Sequence, residues 1–489
     1  MRLNYLANAI GLILLYISLV ILSPILVALF YQDFSSILPF ITASFISAAI
    51  GFSLRKFVKN AHTIENLNDI KKSEGLFIVF VSWLVFCLIS SIPYLFYGIA
   101  PLNAMFEATS GITTTGATIL TNYNYPHAFF FWRSFTQWLG GLGIIVLFIA
   151  ILPQFAVAGR QLFFAEAPGP TEDKITPRIK NTASALWKIY FVLTVIQIVL
   201  LILAGMPGFD ALCHSLSTLS AGGLSLKEAS IMAYNSNIIS WIMIIFMFLG
   251  GTSFILQYLV ITKKNPLLFF KNEEFRAYFK LTFIFSLLIS ILLIISNNKS
   301  IADGITSGFF QVVSITTSTG FANEDFMGWS LTPKLLLFVA MFVGASASSA
   351  GGGIKMTRWL ILFKSMKSEL IKILHPSAVK NIKLDDRNIS DEIIKQITVF
   401  VFFYFLIFAI SAVIISILEQ NYTIGLTGAI TSLGNIGPAF GEYTGPMGNL
   451  ANLNPLTKLI MITNMIVGRL ELIPFLVLFQ RDFWSIKEN

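Results

Sequence analysis

The sequence predicts an all-α integral membrane protein. Two N-terminal helices precede four helix–re-entrant loop–helix units, about 10 transmembrane helices in all, set with pseudo-fourfold symmetry around a central ion pore. Three observations carry this prediction. Of the 489 residues, 55% are hydrophobic and only 12% charged, about half the ~25% charged fraction of a soluble domain. Apolar runs of membrane-spanning length recur along the whole chain. Four short glycine- and hydroxyl-rich runs, spaced about 100 residues apart, interrupt those spans in a repeating manner, as one structural unit used four times would.

The charges set the orientation. The net charge is +8, and most of the 33 Lys and Arg residues fall in alternate connections: 55–72, 160–188, 263–280, 355–395 and the two termini. Connections on the cytoplasmic side carry such an excess. Both termini are therefore expected in the cytosol and the four glycine runs on the outer side. The basic balance then belongs to a chain whose partner is the lipid bilayer, not nucleic acid. Cys87 and Cys213 lie in apolar surroundings and suggest neither a disulfide nor a metal framework.

In order, spans are expected at 5–30 and 37–54, the first read as a retained helix because only Arg2 precedes it and no small-residue cleavage site follows. Unit one runs as 75–97, 102–110 and 127–152; unit two as 184–206, 209–219 and 237–261. Unit three comprises 278–295, 302–315 and 333–364, and unit four 392–418, 424–433 and 456–479. The corresponding divisions are 1–70, 71–155, 156–265, 266–390 and 391–489. The short middle segment of each unit would be roughly 14–21 Å long as a helix at about 1.5 Å per residue. That is about half of a ~30 Å hydrocarbon core. Such a segment can enter the membrane, stop near its middle and return as irregular backbone, provided protein or water lines it. Plain extracellular turns would explain the glycines. They would not explain the apolar half-helices ahead of the runs or the absence of charge within them. Asp210 and Asp303 stand near two of the expected half-helix starts, where a carboxylate can cap free amides and meet the positive dipole end.

A dehydrated cation needs oxygens to replace its water, and rings of backbone carbonyls supply them. Presenting successive carbonyls inward demands backbone conformations that glycine reaches most readily. Gly116, Gly222, Gly320 and Gly437 are the expected filter glycines, one per unit. Beside them stand Thr114, Thr115, Ser220, Ala221, Ser318, Thr319, Asn435 and Ile436, with no charge among them. That uncharged set favours a monovalent cation over a divalent one. The half-helices would add the negative ends of their dipoles at the pore centre.

These four runs, Thr-Thr-Gly-Ala, Ser-Ala-Gly-Gly, Ser-Thr-Gly-Phe and Asn-Ile-Gly-Pro, resemble the filter loops of the Trk/Ktr/HKT superfamily of potassium transporters. The likeness covers nearly the whole chain, and the two extra N-terminal helices are similar to those of the bacterial TrkH branch. It implies a potassium-uptake pore conducting K+, with Rb+ and less readily Na+, and K+ as the ion held at the filter. It also implies a homodimer seated on a cytosolic ring of nucleotide-binding regulatory subunits of the TrkA/KtrA kind, in the plasma (inner) membrane. No nucleotide-binding fingerprint occurs in this chain, and no organic cofactor is expected. One departure stands out: Gly223 occupies the place read as aromatic in the family's second loop.

Below the filter, residues 344–353 form a run of ten small residues containing Gly344, Gly351, Gly352 and Gly353. Glycine costs up to about 1 kcal/mol in a helix interior, so the run predicts a broken helix, the alternative being a close helix–helix contact. The resemblance identifies it with an intramembrane loop obstructing the pore. Arg469 is expected mid-span, where a charge is costly unless functional or paired. A pairing with Glu471 two residues on is geometrically poor on a helix, which leaves Arg469 facing the pore or the glycine-rich loop; the family's matching arginine lies below the filter. Lys355 has two readings, a gate residue or a side chain snorkelling to the cytosol. Glu107 in the first half-helix has no partner evident in sequence, and His214 reads as a satisfied core histidine. An ion-coupled symporter also uses broken helices and is the alternative function; an enzyme is disfavoured by the lack of paired intramembrane carboxylates or a nucleophile–base set.

Overall fold

The computed structural model describes residues 3–57, 72–143, 179–376, 381–385, 387–441, 443–472 and 475. The N-terminal pair begins with Leu3–Ile21 and Ser23–Phe30, two helical segments of one span divided where Pro24 removes a backbone donor. It continues with Ile37–Phe57. The pair is drawn together by small residues: a Cβ on Gly11 or on Gly51 would lie 2.8 Å from the other's carbonyl oxygen. Ser44 and Ser47 hydroxyls donate across the contact to the Ser18 and Leu14 carbonyls.

Each of the four units then opens with a long apolar helix: Lys72–Phe96, Ile179–Leu203, Glu273–Ser296 and Asp391–Glu419. Each is followed by a half-helix, Pro101–Ile112, Gly208–Leu219, Ile301–Thr316 or Tyr422–Leu433. The half-helices start where their caps dictate. Pro101 occupies the first turn of one; Ser300 accepts from the Asp303 amide, and Asn421 from the Thr423 and Ile424 amides. The Ser300 hydroxyl in turn donates to the Asp303 carboxylate at 2.7 Å. Asp210 caps nothing; its carboxylate accepts from the Tyr234 hydroxyl at 2.6 Å instead.

The returning helices depart from the expected continuous spans in different ways. The first, His127–Gly141, stops at a glycine pair, and its expected range beyond residue 143 lies outside the described residues. In unit two the expected continuous span breaks into Asn237–Gly250 and Phe254–Lys263, bent by 95°. Two features cause the break. Gly250 lies against the Leu219 carbonyl at the end of its half-helix. Ser253 caps the second piece while the Gln257 amide donates to the orphaned Leu249 and Thr252 carbonyls. Unit three returns as Leu331–Ala340, an irregular stretch over 341–355, then Met356–Leu374. Unit four returns as Pro455–Arg469. A small antiparallel ribbon pairs Lys383–Leu384 with Arg387–Asn388 ahead of the fourth unit.

Candidate functional site: a ring of four backbone loops

The four half-helices end in loops of one geometry. In each, a non-glycine residue takes positive φ and a glycine two places on does the same: Thr114 and Gly116, Ala221 and Gly223, Ser318 and Gly320, Asn435 and Gly437. The amide just before each of these glycines donates five residues back, Thr115 to Ser110, Gly222 to Ser217, Thr319 to Ser314 and Ile436 to Thr431, at 2.8–2.9 Å. The repeat corrects the sequence reading by one residue. The second-loop counterpart of Gly116, Gly320 and Gly437 is Gly223, not Gly222, and Leu224 takes the place assigned to an aromatic. Ser220, Ala221 and Gly222 lie immediately before it, as Thr113, Thr114 and Thr115 lie before Gly116.

The loops close on one another in order. A Cβ on Gly116 would lie 2.1 Å from the Gly222 oxygen, one on Gly223 1.9 Å from the Thr319 oxygen, one on Gly320 2.1 Å from the Ile436 oxygen, and one on Gly437 2.7 Å from the Thr115 oxygen. Each glycine thus makes room for a carbonyl of the next unit, and the fourth returns to the first. The same four glycines line a single pocket with Arg133, Lys227 and Glu228. Hydroxyls stiffen the ring: Ser110, Ser314 and Thr431 donate to the carbonyls seven residues on, at Ala117, Phe321 and Pro438. The Asn435 amide bridges units by donating to Thr115 Oγ1 at 3.0 Å and the Met465 carbonyl at 2.9 Å.

Residues 344–353 lie directly against this ring. The Gly352 amide donates to Ser318 Oγ, and a Cβ on Gly351 would come 2.7 Å from the Thr317 oxygen, one on Gly352 2.4 Å from the Gly434 oxygen. Gly344 lies close to the Gly352 and Ile354 carbonyls, and Gly353 takes positive φ beside it. The stretch is a broken helix, not a small-residue helix contact. Arg469 donates to Ala350 O at 2.8 Å, Gly140 O at 2.5 Å and Gly141 O at 2.8 Å. It therefore ties the loop to the helix ends of units one and four. Glu471 is paired with Arg358 instead. Lys355 does not snorkel; it is buried, with its ammonium donating to the Gly351 carbonyl.

Three side chains at the site have roles that the sequence alone does not reveal. Glu107 is fully buried and paired with Arg133 at 2.7 Å, also accepting from the Thr118 hydroxyl and the Ile119 amide. Arg133 further donates to the Ser225 carbonyl and Thr118 Oγ1, joining loops one and two at the pocket. The pair is 26 residues apart in sequence, and only a helix-to-helix packing brings it together. Gln137, likewise unremarked, packs its amide on the second loop. His214 is satisfied on both ring nitrogens by the Asp210 carbonyl and Ser225 Oγ.

Membrane-length helices around a ring of re-entrant backbone loops define a channel-like membrane transport protein. The comparisons make this specific. Residues 40–486 match the family TrkH, described as a cation transport protein. The chain is 36% identical to the Trk system potassium uptake protein TrkH of Salmonella typhimurium, over 99% of this chain and all of that one. It is 32% identical to TrkG of Escherichia coli over 96% of each. The crystal structure of the potassium transporter TrkH from Vibrio parahaemolyticus superposes with a TM-score of 0.88 at 32% identity, covering 99% of this chain and all of that one. The chain belongs to the TrkH family of cation transport proteins, a family of transporters and not of enzymes.

Proposed function

We propose that this chain is the pore-forming subunit of a potassium uptake system, conducting K+ through the ring at Gly116, Gly223, Gly320 and Gly437. The observation that carries the proposal is the closed succession of glycine-to-carbonyl contacts around four loops that contain no charged residue. Such a ring offers backbone oxygens to a monovalent cation that has shed part of its water. Thr114, Thr115, Ser220, Ala221, Gly222, Ser318, Thr319, Asn435 and Ile436 hold those oxygens in place. The four half-helices bring the negative ends of their dipoles to the same region. Residues 344–353 act as the gate, held beneath the ring by Arg469 and Lys355. The pore lies in the inner membrane with both termini cytosolic and the filter loops entered from outside, as the distribution of Lys and Arg supports. The chain works as a homodimer on a cytosolic nucleotide-binding ring, in keeping with relatives named as Trk system proteins.

The test is tracer flux into proteoliposomes. Rb+ is expected to enter down its gradient with no organic solute present, and Na+ more slowly. Absence of Rb+ entry, or entry only with an organic co-substrate, would overturn the reading in favour of a symporter.

A further inference from the structure

The second quarter of the ring differs from the other three through one side chain of a neighbouring unit. Gln137 is completely buried in the returning helix of unit one. Its Nε2 donates to the Gly222 carbonyl at 2.6 Å, while its Oε1 accepts from Ser217 Oγ at 2.5 Å and from the Leu224 amide at 3.2 Å. Donors on one side and an acceptor on the other fix the amide's orientation. Gly222 O is the oxygen that lies against Gly116 in the ring.

At the corresponding position the returning helices of units two and four carry methionine, and unit three has one at the same spacing from a glycine. Gly140, Gly250 and Gly468 each lie against the last carbonyls of a half-helix, at Ile112, Leu219 and Leu433. Three residues before them stand Gln137, Met247 and Met465, and Met341 stands at the same distance before Gly344. All three methionines are buried and offer no N–H donor. The substitution has two local consequences. A Cβ on Gly222 would fall 2.4 Å from Gln137 Cδ, whereas Thr115, Thr319 and Ile436 keep side chains there. The Ser217 hydroxyl is also diverted: Ser110, Ser314 and Thr431 donate to the carbonyl beyond the filter glycine, but Ser217 donates to Gln137.

We infer that Gln137 is a specificity-determining positioning residue, favouring K+ over Na+ by holding the Gly222 carbonyl of the filter in place and taking up part of its acceptor capacity. This rests on the ring being the filter. A smaller cation needs the oxygens to close in and rewards a stronger field from them. An N–H fixed on one of the four oxygens opposes both: it restrains that carbonyl's movement and occupies part of its acceptor capacity. Replacing Gln137 with methionine gives the second quarter the character of the other three, and frees Ser217 to donate to Leu224 O.

The experiment compares Na+ and Rb+ tracer uptake in proteoliposomes of wild type, Gln137→Met, Gln137→Leu, Met247→Leu and Gly116→Ser at a clamped potential. Gln137→Leu removes the amide donor in a similar volume and adds neither a charge nor a new donor, so it decides the matter if Gln137→Met does not fold. Both Gln137 variants are expected to raise the Na+/Rb+ ratio about fivefold, equivalent to the ~1 kcal/mol of one hydrogen bond. Met247→Leu, a packing change at the equivalent place, is expected to leave the ratio where it is. An unchanged ratio in the Gln137 variants, with a shifted ratio in Gly116→Ser, overturns the role of Gln137 and leaves the filter standing. A shift in Met247→Leu equal to that of the Gln137 variants also overturns it, since packing alone would then suffice. A ratio unmoved in Gly116→Ser too brings down the filter reading and this inference with it.

Discussion

The filter glycines are constrained twice, by conformation and by space. Gly116 has φ +81° and its missing Cβ would overlap the Gly222 oxygen at 2.1 Å, whereas the Gly437 approach is looser at 2.7 Å. Backbone atoms cannot swing aside as a flexible side chain can, so any Cβ at Gly116 must displace a carbonyl of the ring. Gly116→Ser is therefore expected to lower the preference for Rb+ over Na+ several-fold in tracer flux, and Gly437→Ala to lower it less. Equal preservation of selectivity in both would remove these glycines from the filter. The Glu107–Arg133 pair carries a different consequence, on stability. Removing one member of a buried pair strands the other charge at a cost of about 3–5 kcal/mol, whereas replacing both with uncharged groups costs less. Glu107→Gln is expected to lower the unfolding midpoint in detergent, and Glu107→Gln combined with Arg133→Met to recover part of the loss. A Glu107→Gln protein as stable as wild type would show that the pair does not anchor loop one.

Among the elements, the broken returning helix of unit three holds the strongest link between sequence and regulation. Its ten small residues give no side-chain packing to sustain a helix, and their backbone instead fits against Thr317, Ser318 and Gly434 of the ring. The stretch is retained there by Arg469, whose guanidinium supplies donors to three carbonyls on two other elements. Charged donors to neutral carbonyls contribute roughly 1.5–3 kcal/mol each, added to the loop's own hydrogen bonds to Gly250, Gly251, Glu274 and Ser318. Arg469→Ala, or deletion of three residues within 344–353, is expected to raise Rb+ flux several-fold and blunt its regulation. Flux unchanged in both variants would mean that the loop does not limit conduction. The break in unit two shows how far such features can be read in advance. Gly250-Gly251-Thr252-Ser253 is a weaker signal than a triple glycine, and the apolar runs on either side read as one span. What divides them is the fit of Gly250 to a half-helix carbonyl and the capping by Ser253 and Gln257. Those are tertiary facts with no periodic trace in the sequence.

For the whole molecule, the architecture was legible because its constraints are one-dimensional: span length, half-span length and a repeat. The lateral contacts were not. The register of the second loop differs from the sequence reading because two adjacent glycines fit the pattern equally well, and only the backbone, with positive φ at Gly223 and its approach to the Thr319 carbonyl, tells them apart. The pairing of Arg133 with Glu107 has no trace in the sequence because only the packing of two helices of unit one brings the side chains together. The orientation of the whole in the membrane is the last expectation to follow from a one-dimensional signal, the alternation of basic connections. It can be tested with few complications, because Cys87 and Cys213 are both buried and should give little background to a membrane-impermeant thiol reagent. Glu228 lines the pocket over the four glycines, while Lys367 lies on Met356–Leu374 beyond the gate. A cysteine at Glu228 is expected to react in intact cells, and one at Lys367 only after the membrane is permeabilised. The reverse pattern would place the filter on the cytosolic face, and with it the entry side of the pore.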